Sequence, residues 1–120
     1  EALISLSVIG VCKENVSIPT LNDNIKLSFK DIQHPLLNEK ECISNSFESQ
    51  NGINIITGSN MSGKTSFMRT IGMNLILMYA GTYVNASCFQ APYMKIFTSM
   101  RIVYLMCCIC GTSEIRSAFI

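Results

Sequence analysis

Charge is what this 120-residue chain has least of: Asp, Glu, Lys and Arg make up 14% of it, against about 25% in an ordinary soluble domain. Combined with 48% apolar residues, that deficit excludes an intrinsically disordered chain, which needs the opposite balance. Nine basic and eight acidic residues leave a net charge of +1, so no broad basic field exists to hold nucleic acid or a membrane surface. The longest apolar stretch, residues 71–84, is broken by Gly72, Asn74 and Gly81. It falls short of the roughly 20 residues needed to cross hydrocarbon, so no membrane segment is expected and the chain reads as soluble. Its length suits one domain with a sizeable core. With so little charge, apolar surface that another domain or subunit covers is expected, as in a fragment of a larger protein.

Histidine is nearly missing too. His34 is the single one, and it lies far upstream of the Cys107–Cys110 pair, which has no second C-x-x-C to complete a zinc site. The remaining cysteines are Cys12, Cys42, Cys88 and Cys108. A disulfide framework belongs to small secreted domains with weak cores, and Glu1-Ala2-Leu3-Ile4 lacks the basic start of a secretory signal. The expectation is reduced, mostly buried thiols in a cytoplasmic protein. His34 reads as a packed structural residue rather than a base.

Apolar periodicity organises what is present. Leu3, Ile4, Leu6, Val8 and Ile9 fit a buried helix end or a strand equally well. Pro19 and Asn22-Asp23-Asn24 mark turns, after which Ile25, Leu27 and Phe29 alternate with polar residues as in a strand. A polar stretch runs over residues 38–51, and Ile53-Asn54-Ile55-Ile56-Thr57 then predicts a compact strand. Phe67, Met68, Ile71, Leu75, Met78 and Tyr79 recur at three- and four-residue spacing, with Arg69, Thr70 and Asn74 assigned to other faces. This predicts a helix stopped by Gly81. Residues 86–89 and 95–102 read as short strands.

Between the expected strand and helix stands Gly58-Ser59-Asn60-Met61-Ser62-Gly63-Lys64-Thr65, which satisfies G-x-x-x-x-G-K-[S/T] at every fixed position. Two glycines let a backbone curl so that successive N–H groups face one phosphate, and the helix that follows adds the positive end of its dipole. Lys64 is placed to reach the β- and γ-phosphates of a nucleotide, and the Thr65 hydroxyl to sit on Mg²⁺. A Gly-rich turn capping a helix would explain the glycines but not the Lys-Thr pair.

Hydrolysis needs more. An acidic residue at a neighbouring strand end normally holds the metal. No aspartate follows Lys64, and Glu114, the single acid there, trails the apolar run 102–110 behind Gly111-Thr112-Ser113. It reads as a solvated surface charge, so no catalytic residue is assigned.

Residues 57–72, with Asn-Met-Ser-Gly-Lys inside the loop, resemble the ATPase domain of the MutS family of DNA mismatch repair proteins. His34-Pro35, Ile55-Ile56-Thr57-Gly58, Asn74-Leu75, Tyr79-Ala80-Gly81 and residues 96–102 support the resemblance, which fades after about residue 102. It implies an α/β fold, a P-loop NTPase of the ABC-ATPase-like type. The domain is partial: residues 1–14 end a core or lever helix and residues 15–120 form a truncated ATPase domain. It further implies ATP and Mg²⁺ as cofactors, held by Gly58, Ser59, Asn60, Met61, Ser62, Gly63, Lys64, Thr65 and Ser66, with Thr65 on the metal and Ile43 beside the adenine. Cys42 falls where many members carry an aromatic that stacks on the base. Family members pair so that each completes the other's site, and they read mismatched DNA through N-terminal domains outside this chain. A DNA-dependent ATPase in the full-length protein is therefore the implied activity. The alternatives are a paralogue acting in recombination or other DNA processing, a hydrolysis-deficient nucleotide-responsive module, and a small-molecule kinase, which would need acids this chain lacks.

Overall fold

Two aromatic residues facing one another across a strand pair seed the sheet. In a computed structural model, which describes residues 1–23, 26–50, 52–59, 61–99, 104–108, 110–111, 114–115 and 117–119, the chain is a mixed α/β domain with two helices. Strands β1 (Thr20–Leu21), β2 (Ser28–Ile32), β3 (Asn45–Glu48) and β5 (Cys88–Ala91) form one sheet in the order β1-β5-β2-β3. The strand β4 (Gly52–Asn54) lies outside it. β2 runs antiparallel to both neighbours, and β1 runs parallel to β5. Phe29 on β2 stands opposite Phe47 on β3 and Phe89 on β5, with ring centroids 5.9 and 6.0 Å away. The expected alternation holds here: Leu27 and Phe29 are buried, and Ile25 lies outside the described residues. Asp31, at φ +51°, breaks the ladder between Phe29 and Ile32. The bulge turns Ile32 fully into the core.

Helix α2 (Lys64–Tyr79) packs on this sheet, and its bounds match the periodicity. Gly81 follows at φ +74°, the left-handed conformation that ends a helix. Met68, Ile71, Leu75 and Met78 are buried as expected. Thr70 and Asn74 are a correction, because both lie inside. They tolerate burial because they are bonded: the Thr70 hydroxyl donates to Ser66 O at 2.8 Å, and Asn74 Nδ2 donates to Thr70 O and Gln33 O. Asn74 Oδ1 accepts the Asn85 N–H at 2.7 Å. Apolar side chains flank the amide, so the helix buries a face wider than its apolar stripe.

The N-terminal ambiguity resolves as helix α1 (Ala2–Cys12). None of its residues is buried, although apolar side chains surround it on every side. Two contacts seat it on the end of α2. The Thr82 hydroxyl donates to Leu6 O at 3.0 Å, and Gly10 lies so close to the Tyr83 ring that a Cβ there would sit 2.5 Å from Cδ2. Leu3, Ile4 and Val11 face solvent, in line with the apolar surface expected from the low charge.

The strand expected at residues 86–89 sits two residues later, as β5. Next comes β6 (Lys95–Ser99), and residues 100–102 of the strand expected there lie outside the described residues. β6 pairs antiparallel with β7 (Tyr104–Cys108), β8 (Cys110–Gly111) pairs with β9 (Glu114–Ile115), and β10 (Ser117–Phe119) runs parallel to β4. Among the described residues no helix is long and apolar enough to cross a membrane.

Candidate functional site

The loop of residues 58–63 leaves the sheet region through β4, and here the structure shortens the expected strand. Among the described residues, ladder pairing ends at Asn54, and residues 55–57 have no ladder partner. The two-residue rhythm persists, with Ile53, Ile55 and Thr57 exposed and Asn54 and Ile56 half-buried. Among the described residues, β10 is in register with β4 as far as Asn54.

Two residues turn the chain into α2. Met61 adopts φ +64° and is fully exposed, and Gly63, the residue capping α2, adopts φ +84°. Gly63 thus earns its place by conformation. Gly58 does so by space: a Cβ there would lie 2.8 Å from Ser62 Oγ and 3.5 Å from Lys64 Cδ. Asn60 lies outside the described residues. Ser62 N–H donates to Ser59 O at 3.3 Å and Phe67 N–H to Gly63 O at 2.9 Å. Among the described residues, the N–H groups of Met61, Gly63, Thr65 and Ser66 meet no protein acceptor. Unclaimed donors at a helix start, with no side-chain cap on α2, leave this end electropositive.

Lys64 closes the loop on itself. Its ammonium donates to Gly58 O, to Ser59 O and, at 3.2 Å, to Ser62 Oγ. Three protons thus meet three acceptors. Thr65 is half-buried in the first turn, and its hydroxyl meets no protein partner among the described residues; Ser66 is exposed. Phe67 anchors this turn, its ring 6.1 Å from Phe29 and edge-on to Phe47 at 6.5 Å.

Ile43 is exposed, four residues before Phe47, in the segment that enters β3. The Phe47–Phe67 contact carries that segment to the end of α2 where the loop sits, but no hydrogen bond or ring contact joins Ile43 to the loop among the described residues. Cys42 Sγ accepts the His34 N–H at 3.3 Å, and His34 Nδ1 accepts the Leu36 N–H at 3.3 Å. His34 therefore organises its own turn. The thiols correct one expectation: Cys12, Cys42 and Cys88 are free, but Cys12 and Cys88 are exposed and Cys42 is half-buried. Glu114 opens β9, paired with Gly111 of β8.

Sequence reading missed the Gln33–Asn74–Asn85 bonds and the Ser62–Lys64 contact. An amide inside an apolar helical stripe was the available signal for the first. The second has no signal beyond the motif itself.

With this geometry in place, comparison with known proteins decides the lineage. The chain is 34% identical over 87 residues to the DNA mismatch repair protein MutS of Fusobacterium nucleatum, covering 67% of this chain and 10% of that protein. It is 31% identical over 106 residues to MutS of Clostridioides difficile, covering 82% and 11%. For MutS of Streptococcus pyogenes it is 32% over 105 residues, covering 82% and 12%. The chain belongs to the MutS family. No family model matches it. The chain spans about a tenth of the length of these MutS relatives, and so accounts for one segment of a protein of that kind.

Proposed function

We propose that residues 58–65 bind the phosphates of ATP, and that this MutS-family segment is the nucleotide-binding part of a DNA mismatch repair protein. The observation that carries the reading is the set of N–H groups at the start of α2 that meet no acceptor among the described residues, beside an ammonium already gathered into the loop. A polyphosphate supplies the acceptors those donors lack, and the helix dipole favours its charge. The residues present fit the nucleotide, with Gly58, Ser59, Met61, Ser62, Gly63, Lys64, Thr65 and Ser66 around the phosphates. The unpartnered Thr65 hydroxyl offers the oxygen for Mg²⁺, which when bound would neutralise phosphate charge. Exposed Ile43 offers an apolar surface to the base.

On this reading the domain is a partial P-loop NTPase of the ABC-ATPase-like type over residues 15–120, and α1 is the end of a longer helix entering it. In the full-length protein a second copy completes the site, domains outside this chain bind DNA, and ATP is coupled to mismatch binding; the setting is cytoplasmic. Calorimetric titration with Mg·ATP tests the first step. Lys64→Ala, which removes a charged donor, is expected to weaken binding by about 1.5–3 kcal/mol, roughly 10- to 150-fold. Equal affinity in both proteins would overturn the assignment.

One observation favours a hydrolysis-deficient, nucleotide-responsive module as the second reading. β10, the parallel neighbour of β4, carries Ser117, Ala118 and Phe119 and thus no carboxylate. Metal-positioning and electrostatic groups are worth orders of magnitude in rate. Phosphate release from Mg·ATP by this chain is therefore expected at background level, and turnover abolished by Lys64→Ala would exclude this reading.

A further inference from the structure

We infer that the Ser62 side chain is a positioning residue for Lys64, and that Gly58 is there to make room for it. This rests on the phosphate-binding reading of the loop and assigns to Ser62 a role that its backbone alone does not have. Lys64 is half-buried, and its ammonium has three acceptors within the loop. Two are the carbonyls of Gly58 and Ser59, which any residue would provide at those positions. The third, Ser62 Oγ, is a side-chain choice. The hydroxyl sits where it can accept from Nζ at 3.2 Å only because residue 58 has no Cβ, which would otherwise approach the same oxygen to 2.8 Å. The Ser62 N–H bond to Ser59 O fixes the turn that carries the hydroxyl.

A lysine side chain gives up much rotamer freedom when its head is held. Ser62 imposes that restriction before any phosphate arrives, so the ammonium is already at the loop mouth, and the gain on binding is one of preorganisation. When phosphate enters, the bond to Ser62 is the exchangeable one, since a neutral hydroxyl acceptor is weaker than an anionic oxygen.

Two readouts on the same variants test this. The first is a double-mutant cycle in Mg·ATP affinity. Ser62→Ala is expected to weaken binding about 3- to 10-fold when Lys64 is present, and by less than about 2-fold in the Lys64→Ala background. Ser62→Thr, which keeps the hydroxyl, is expected to restore affinity to within about 2-fold. The second readout needs no nucleotide: the rate at which an amine-reactive acetylating reagent modifies Lys64, read by peptide mass spectrometry against exposed Lys40 in the same sample. Acylation requires the reagent to reach the amine nitrogen, and a half-buried head group held against three loop acceptors offers it little room. Ser62→Ala is expected to raise the Lys64 rate about 2- to 5-fold, with Lys40 unchanged and Ser62→Thr restoring the slow rate.

An equal effect of Ser62→Ala in both Lys64 backgrounds would overturn the inference, because the hydroxyl would then act without the lysine. An unchanged Lys64 acylation rate would overturn it as well. Failure of the unsubstituted protein to bind Mg·ATP, with the acylation response intact, would instead sink the nucleotide reading and leave the positioning role standing.

Discussion

Phe29→Ala is expected to lower the free energy of unfolding by about 3–5 kcal/mol, the range for truncating a buried phenylalanine to alanine. Phe29 is 3% exposed and touches three other rings. Two belong to the strands on either side of it, and the third, Phe67, belongs to the first turn of α2. Removing the ring opens a cavity at the point where sheet and helix meet, and neighbouring strands cannot collapse into it without breaking register. Against a total of about 5–15 kcal/mol for a domain of this kind, the loss is large. Equilibrium urea unfolding reads it as a lower midpoint at unchanged slope. A loss below about 1 kcal/mol would mean that the aromatic cluster does not carry the fold. The site feels the change too, because Phe67 lies four residues beyond Gly63 and holds the turn on which Lys64 and Thr65 stand.

Asn74→Leu is expected to cost about 2–4 kcal/mol, although it places an apolar side chain in an apolar neighbourhood. The amide is fully buried and serves two segments at once, donating to Gln33 O at the end of β2 and accepting from the Asn85 N–H ahead of β5. Leucine leaves both backbone groups without their partner, at about 1–3 kcal/mol for each unsatisfied buried group. The Asn85 N–H is fully inside and the Gln33 carbonyl part-buried, so water does not readily replace the amide at the first and only partly at the second. Thermal or urea unfolding measures the total, and hydrogen exchange at the Asn85 amide locates it, with exchange expected to quicken there first. Unchanged stability with unchanged exchange at Asn85 would show that the amide is not structural.

The two sites illustrate where sequence reading reaches and where it stops. Helix α2, its stop at Gly81 and the glycine-bounded loop ahead of it were all legible, because each depends on residues within a few positions of one another. A 3.6-residue rhythm, a left-handed glycine and a run of eight motif residues are local properties, and the chain carries them wherever it goes. The low charge likewise foretold exposed apolar surface, which α1 displays. α1 itself was ambiguous, since a short apolar run satisfies helix and strand patterns alike until its neighbours choose.

The burial of Asn74 was not legible, because its acceptor on Gln33 lies 41 residues away and its use of Asn85 depends on how the chain returns after α2. Among the described residues β4 pairs with β10 as far as Asn54, short of the expected Thr57, and that pairing depends on a strand more than sixty residues away along the chain. The glycine at position 58 illustrates the division most directly. Its presence is written in the motif, but what a Cβ there would meet, the Ser62 hydroxyl at 2.8 Å, is visible only in the fold. The sequence by itself determined the local elements and the chemistry available at the loop. Only the tertiary structure decided which polar groups are buried, how far strands pair and what Gly10 makes room for, because those depend on distances between residues that the chain separates and folding brings together.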